Sequence, residues 1–175
     1  MWHPIKHFIT ITNHRHKVMK LCFKAGIGFQ GLFHDLSKYS WTEFKIGAKY
    51  FQGNLSPNAI ERQIYGYSTA WLHHKGRNKH HFEYWIDHNP ITDTYDAYKM
   101  PLKYVKEMFC DRIAATKVYM GKNYKPQGLK AYHERQRDHY VLHNETATLL
   151  ESWIDMLIEK GEKETLKYVK GVKEY

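Results

Sequence analysis

Apolar residues in this chain recur three and four positions apart rather than alternating, so the pattern predicts helices almost throughout. From Ile5 to about Ala25, the residues Phe8, Ile11, Val18, Leu21, Cys22 and Ala25 share a stripe, and Gly26 is expected to end the helix. His14 falls on that stripe between Ile11 and Val18, whereas His16 shares a mostly solvated face with Lys20, Phe23 and Lys24. A second segment from Phe29 carries Leu32, Phe33 and Leu36. A short helix through Trp41, Phe44, Ile46 and Ala48 follows, begun by the hydroxyl of Ser40 or Thr42 with Glu43 close behind. Turn formers from Gln52 to Pro57 introduce a helix from Asn58 to about His74, with Ile60, Ile64, Tyr67 and Trp71 on one side. The stretch from Asp87 to Tyr98, which contains Pro90, reads as a loop. Pro101 opens a helix through Leu102, Val105, Met108, Phe109, Ile113 and Val118, and from Leu129 to Lys160 a long helical pattern runs through Tyr140, Leu150, Trp153 and Leu157. No repeat and no strand pair is evident. The expectation is an all-α fold: one compact helical domain over residues 1–160 with a long C-terminal helix, then a charged tail at 161–175 forming a marginal helix or frayed end.

Composition narrows the class. A chain of 175 residues with 42% hydrophobic and 15% aromatic content can bury one core, so disorder is excluded. The 14 Tyr and 5 Trp leave room for a homodimer through exposed aromatic surface. A net charge of +9 attracts anions, whether a nucleotide, a nucleic acid or a lipid surface, without choosing among them. Cys22 and Cys110 sit inside apolar patterns and are expected as reduced, buried thiols. No apolar run approaches the ~20 residues that span a bilayer. Met1-Trp2-His3-Pro4 lacks the features of a signal peptide, so the expected location is the cytoplasm, with no membrane association.

The chemistry concentrates in four places. Leu32-Phe33-His34-Asp35-Leu36-Ser37-Lys38 sets a His-Asp pair in apolar sequence, and a buried imidazole beside a buried carboxylate is costly unless a divalent metal compensates both. The bland alternative is a half-buried histidine beside an acid at a helix N-terminus. The inward His14 is the second place, its alternative being a bond to a backbone carbonyl. His73-His74-Lys75-Gly76-Arg77-Asn78-Lys79-His80-His81 places two His-His pairs around a basic turn, abutting Trp71, Phe82 and Trp85 rather than lying in polar low-complexity sequence. Asp111 lies close to the apolar face of its helix, where a salt bridge to Arg112 is the alternative. His139 and His143, one turn apart, form a weaker chelating pair, and Asp93 and Asp96 are loop acids better suited to capping than to ligation.

Taken in order, His14, His34-Asp35, the double-histidine loop and Asp111 resemble the pattern of the HD-domain superfamily of metal-dependent phosphohydrolases, a His, a His-Asp pair and a distant Asp on successive helices. His14 to Val18, the apolar-His-Asp-apolar-Ser-Lys stretch and Asp111-Arg112-Ile113-Ala114 carry the match, over about Phe8 to Val118. The chain looks closest to a bacterial and phage branch known only as a domain of unknown function. His73-His74 and His80-His81 depart from the spacing of the cyclic-dinucleotide phosphodiesterase branch.

The resemblance implies a metal held by His14, His34, Asp35 and Asp111, a mixed N/O set that suits Mn, Fe, Co, Ni or Zn more than Mg. A water activated by that metal would attack phosphorus in a nucleotide or other small phosphate ester. His73, His74, His80 and His81 would hold a second metal, or His74 and His80 would protonate the leaving group as general acids alongside the catalytic Asp35 and Lys38. Lys38, Arg77 and Lys79 would clamp the phosphate, and Asn78 would orient a base or ribose. Two other classes remain open at this point: a metal-dependent oxygenase on the same scaffold, and a basic nucleic-acid-binding module.

Overall fold

The computed structural model describes residues 2–137 and 141–175. Pro4, with its φ already set for a helix and no N–H to satisfy, begins α1 (Pro4–Lys24), whose inner face buries His7, Ile11, His14, Val18, Leu21 and Cys22. A short α2 (Gly28–Leu32) leads through His34 and Asp35 into a 3₁₀ turn at Leu36–Tyr39, and α3 (Trp41–Lys49) follows. Next come α4 (Pro57–Tyr65) and α5 (Thr69–Lys75), then α6 (Leu102–Met120), α7 (Pro126–Arg137) and α8 (Asn144–Gly171).

The core forms where α6 packs against α1, α7 and α8. Val18, Leu21 and Cys22 meet Val105, Phe109 and Ile113 there, with Leu150, Trp153 and Leu157 closing the far side. Phe109 and Trp153 stack edge to face with ring centroids 5.6 Å apart. Both cysteines are buried free thiols. Among the described residues, no helix is long and apolar enough to cross a membrane.

Four features depart from the periodicity. The helix expected from Asn58 to His74 is two helices, because Gly66 takes a left-handed φ of 81° and Ser68 restarts the chain by accepting from Trp71 N–H at 3.0 Å. Glu61 holds this corner by accepting from the hydroxyls of Ser68 (2.6 Å) and Thr69 (2.7 Å). Ile64 and Tyr67 face solvent as a result.

The loop expected at 87–98 contains an antiparallel hairpin, β1 (Ile86–Asn89) with β2 (Thr94–Ala97), Ile86 opposite Ala97. Asp93 and Asp96 cap no helix. Asp93 sits 3.0 Å from His88, and Asp96 accepts from Asn89 across the hairpin (2.7 Å) and from Thr94 on its own strand (2.8 Å).

The single pattern from Leu129 to Lys160 is divided between α7 and α8, and His143 is the residue preceding α8 rather than part of a continuous face. His139 and Tyr140 lie outside the described residues. Finally, the segment expected to fray stays helical to Gly171 beyond a non-helical break at Gly161, and Thr165, Leu166 and Val169 are buried. Tyr175 donates its hydroxyl to the carbonyl of Met100, and Lys106 Nζ donates to Val172 O at 2.8 Å, so the end of the chain is tied down.

Candidate metal centre

Four parts of this frame converge. α1 turns His14 inward and His16 outward. The turn after α2 buries His34 and Asp35, each at 1% exposure, with Asp35 in the left-handed region at φ 55°. A non-glycine residue there is uncommon and strained, although aspartate tolerates it better than most. α6 brings Asp111 and, one turn earlier, Glu107, while α5 and the loop after it bring His74, His80 and His81.

Of the three groups of ligand atoms that result among the described residues, one is His34, His80 and Glu107, and the other two share Asp35. His14, His34, Asp35 and Asp111 form one, and Asp35, His74, His80 and His81 form the other. Within each group the candidate atoms all lie within 4.8 Å of one another. Asp35 Oδ2 is 3.3 Å from His34 Nε2 and 3.7 Å from His14 Nε2, whereas Oδ1 is 3.3 Å from His74 Nε2 and 3.4 Å from His80 Nε2. Asp111 Oδ1 lies 2.9 Å from His14 Nε2 and 3.5 Å from His34 Nε2. These approaches are close without hydrogen-bond alignment: the Nε2 atoms of His14, His34, His80 and His81 and both oxygens of Asp35 are buried with no hydrogen-bond partner. Asp35 Oδ2 has the Lys38 ammonium at 2.6 Å, but Asp35 Oδ1 and the four imidazole nitrogens have no such partner, and buried polar atoms facing one another in this way are destabilising unless a cation joins them. The residues therefore fit a metal ion.

The opposite ring nitrogens are fixed from outside. His34 Nδ1 is 2.8 Å and His80 Nδ1 3.2 Å from Glu107 Oε1. Glu43 takes His73 Nδ1 at 2.6 Å on one oxygen and His74 Nδ1 at 2.8 Å on the other. A carboxylate accepting from Nδ1 sets the tautomer that leaves Nε2 free to ligate. Neither glutamate stood out from the periodicity. Glu43 occupies the first turn of α3, where an acid is expected for the helix dipole. The signal for Glu107 was its spacing of one turn from Asp111 on an apolar face.

Electrostatics agree with the geometry. Burial alone would raise Asp35 and Asp111, yet the imidazoles of His34 and His74 and the Lys38 ammonium hold Asp35 well below the usual carboxylate range, and His14 and His34 do the same for Asp111. Glu107 is held at about 2 against its own burial by His34 and His80. Burial lowers His14, with Lys38 adding to it, and lowers His81, with His80 and His74 adding, so both rings are neutral and competent to ligate. His34 is pushed up despite burial by Asp35, Asp111 and Glu107, which makes its proton the countercharge when no metal is bound.

The remaining site expectations divide. Lys38 reaches the centre, with Nζ 2.6 Å from Asp35 Oδ2 and a quarter of its side chain exposed. His73 belongs to neither ligand group and serves Glu43. Arg77 and Lys79 are exposed on the loop, Lys79 over the ring of Tyr84 at 5.5 Å, so the structure does not bring them to the ligands. Asn78 has its amide engaged by Ser37 Oγ and His74 O, both at 2.8 Å, which fastens the histidine loop. Arg112 Nη1 lies 2.7 Å from His133 Nδ1. His143 is in neither group.

Fold and site together define a helical protein with a buried mixed imidazole and carboxylate centre. The chain belongs to DUF5662, a family of unknown function, whose model matches residues 3–156 and so includes every ligand candidate. No curated protein and no solved structure matches it.

Proposed function

We propose that this protein is a metal-dependent phosphohydrolase acting on a nucleotide or other small phosphate ester, and that its centre takes one ion in each ligand group. The observation that carries this reading is Asp35, which presents one oxygen to His14 and His34 and the other to His74 and His80. A shared carboxylate of this kind suits a pair of ions, and the N/O donor set suits Mn, Fe, Co, Ni or Zn. When bound, the metal supplies positive charge that stabilises a phosphoryl group in transfer and makes nearby water more acidic.

The chain's own residues do the rest. His14, His34 and Asp111 hold one side and His74, His80 and His81 the other, while Glu107 and Glu43 keep the rings from rotating. Lys38, pulled upward in pKa by Asp35 and Asp111 in spite of its burial, stays cationic and contacts a phosphate oxygen. Asp111 is more exposed than Asp35.

Hydrolysis of an aryl phosphate and a panel of nucleotides, with Mn or Co added, tests the reading. Turnover in wild type that is lost in Asp35→Asn and reduced in Lys38→Gln supports it. Oxygen consumption by anaerobically prepared, coloured protein would transfer the site to oxygenase chemistry. Duplex binding that falls with salt at about −0.9 per neutralised phosphate, without turnover, would favour a nucleic-acid module.

A further inference from the structure

A second concave site lies on the flank of the metal centre. Asn13 and Lys17 of α1, Lys117 and Val118 of α6, Gly121 and Lys122 in the following turn, and Tyr124 line a cavity of about 470 Å³. That volume is in the range of small-molecule sites. None of these residues belongs to the metal centre, and no acidic residue lines the cavity.

The donors are spare. Among the described residues, the ammonium groups of Lys17 and Lys122 and the amide of Asn13 have no partner, and the Tyr124 hydroxyl is buried without one. Lys117 stands over the Tyr124 ring at 5.2 Å and pairs with Glu162. Glu162 is in turn 3.4 Å from Lys24, so the nearest carboxylate is already neutralised. Burial raises the Tyr124 hydroxyl to about 12, and it stays a proton donor. Cations, an amide and a phenol converging on one hollow match an anion with several oxygens.

We infer that this hollow binds a small soluble oligophosphate, with Lys17, Lys122 and Lys117 neutralising its charge and Asn13 and Tyr124 donating to its oxygens. A duplex backbone would need a long basic track, whereas these cations are gathered at one hollow. Asn13 precedes His14, and Lys117 lies on the helix that carries Asp111. A bound anion therefore braces α1 against α6 beside the metal ligands. This inference does not depend on the hydrolase reading.

Calorimetric titration of the full chain with inorganic tripolyphosphate at low ionic strength tests it, using wild type, Lys17→Gln/Lys122→Gln, Tyr124→Phe and, as a control for surface charge, Arg77→Gln, which lies outside the hollow. Saturable binding is expected in wild type, weakened by about tenfold or more in the double lysine variant. It should also weaken in Tyr124→Phe and remain at the wild-type level in Arg77→Gln. Tyr124→Phe removes one oxygen and carries the test if the lysine variant melts early. Absence of saturable binding in wild type, wild-type binding by both pocket variants, an equal loss in Arg77→Gln, or binding of anionic vesicles or duplex DNA in place of tripolyphosphate would each overturn the proposal.

Discussion

His34 Nδ1 lies 2.8 Å from Oε1 of Glu107, and because that carboxyl titrates at about 2 it can only accept, so the imidazole keeps Nε2 for a metal. The same oxygen is 3.2 Å from His80 Nδ1, which gives Glu107 a hold on one ring in each ligand group. Glu107→Gln keeps the shape and removes the charge. Metal affinity in both groups should fall by about 10–100-fold, read by competition with a chromogenic chelator.

Glu43 acts on one side only, through His74 and its neighbour His73. In Glu43→Gln the group containing His74, His80 and His81 should weaken while that of His14, His34 and Asp111 keeps its ion. Metal content per chain after dialysis against limiting chelator should then drop by one equivalent relative to wild type. An equal loss from both groups would show that Glu43 acts through the fold and not through His74.

His7 gives a pH dependence separate from the ligands. It packs against Phe44 and Phe51, and burial, followed by the charge of Lys38, lowers it from 6.5 to about 4. The unfolded chain binds this proton more tightly than the folded one, so folding stability is complete above pH 6.5 and is lost as the pH falls from 6.5 to 4. Thermal melts across that window should show a shallower decline for His7→Gln than for wild type.

The space around His7 is equally specific. A Cβ at Gly47 would stand 2.0 Å from His7 Nε2. Gly47→Ala should destabilise the protein by about 1–3 kcal/mol, measured by urea denaturation. His7→Ala in the same background should restore part of the loss.

Helical periodicity made the ligand helices legible because His14 and Asp111 lie one turn from Val18 and Met108, both of which are buried. His34 and Asp35 were readable for a different reason, as a pair whose burial demands compensation. Gly66 is visible in the sequence, but a glycine inside a helical pattern is compatible with helix at a modest cost, and the bond from Ser68 to Glu61 that fixes the restart beyond it leaves no trace in the periodicity. The hairpin has no alternation to read, since Asp87, His88, Thr94 and Asp96 are polar and hold together through side-chain bonds such as Asn89 to Asp96. The last turns of α8 carry their apolar burial on Leu166 and Val169, too few apolar positions to stand out among Lys and Glu. Arg77 and Lys79 show the reverse case, in which a sequence neighbourhood suggests a clamp and the fold leaves the cations outside.

Asp35 is where the account is most exposed to test. Its φ of 55° is one that asparagine adopts readily, so Asp35→Asn should fold as wild type does while losing the charge shared by both ligand groups. The direct measurement is elemental analysis of purified wild type and Asp35→Asn, grown with Mn, Fe, Co, Ni and Zn available. The account predicts a transition metal ion for each ligand group in wild type and loss from both in the folded variant. Wild-type protein free of stoichiometric transition metal, or a variant that keeps its full complement, would contradict it.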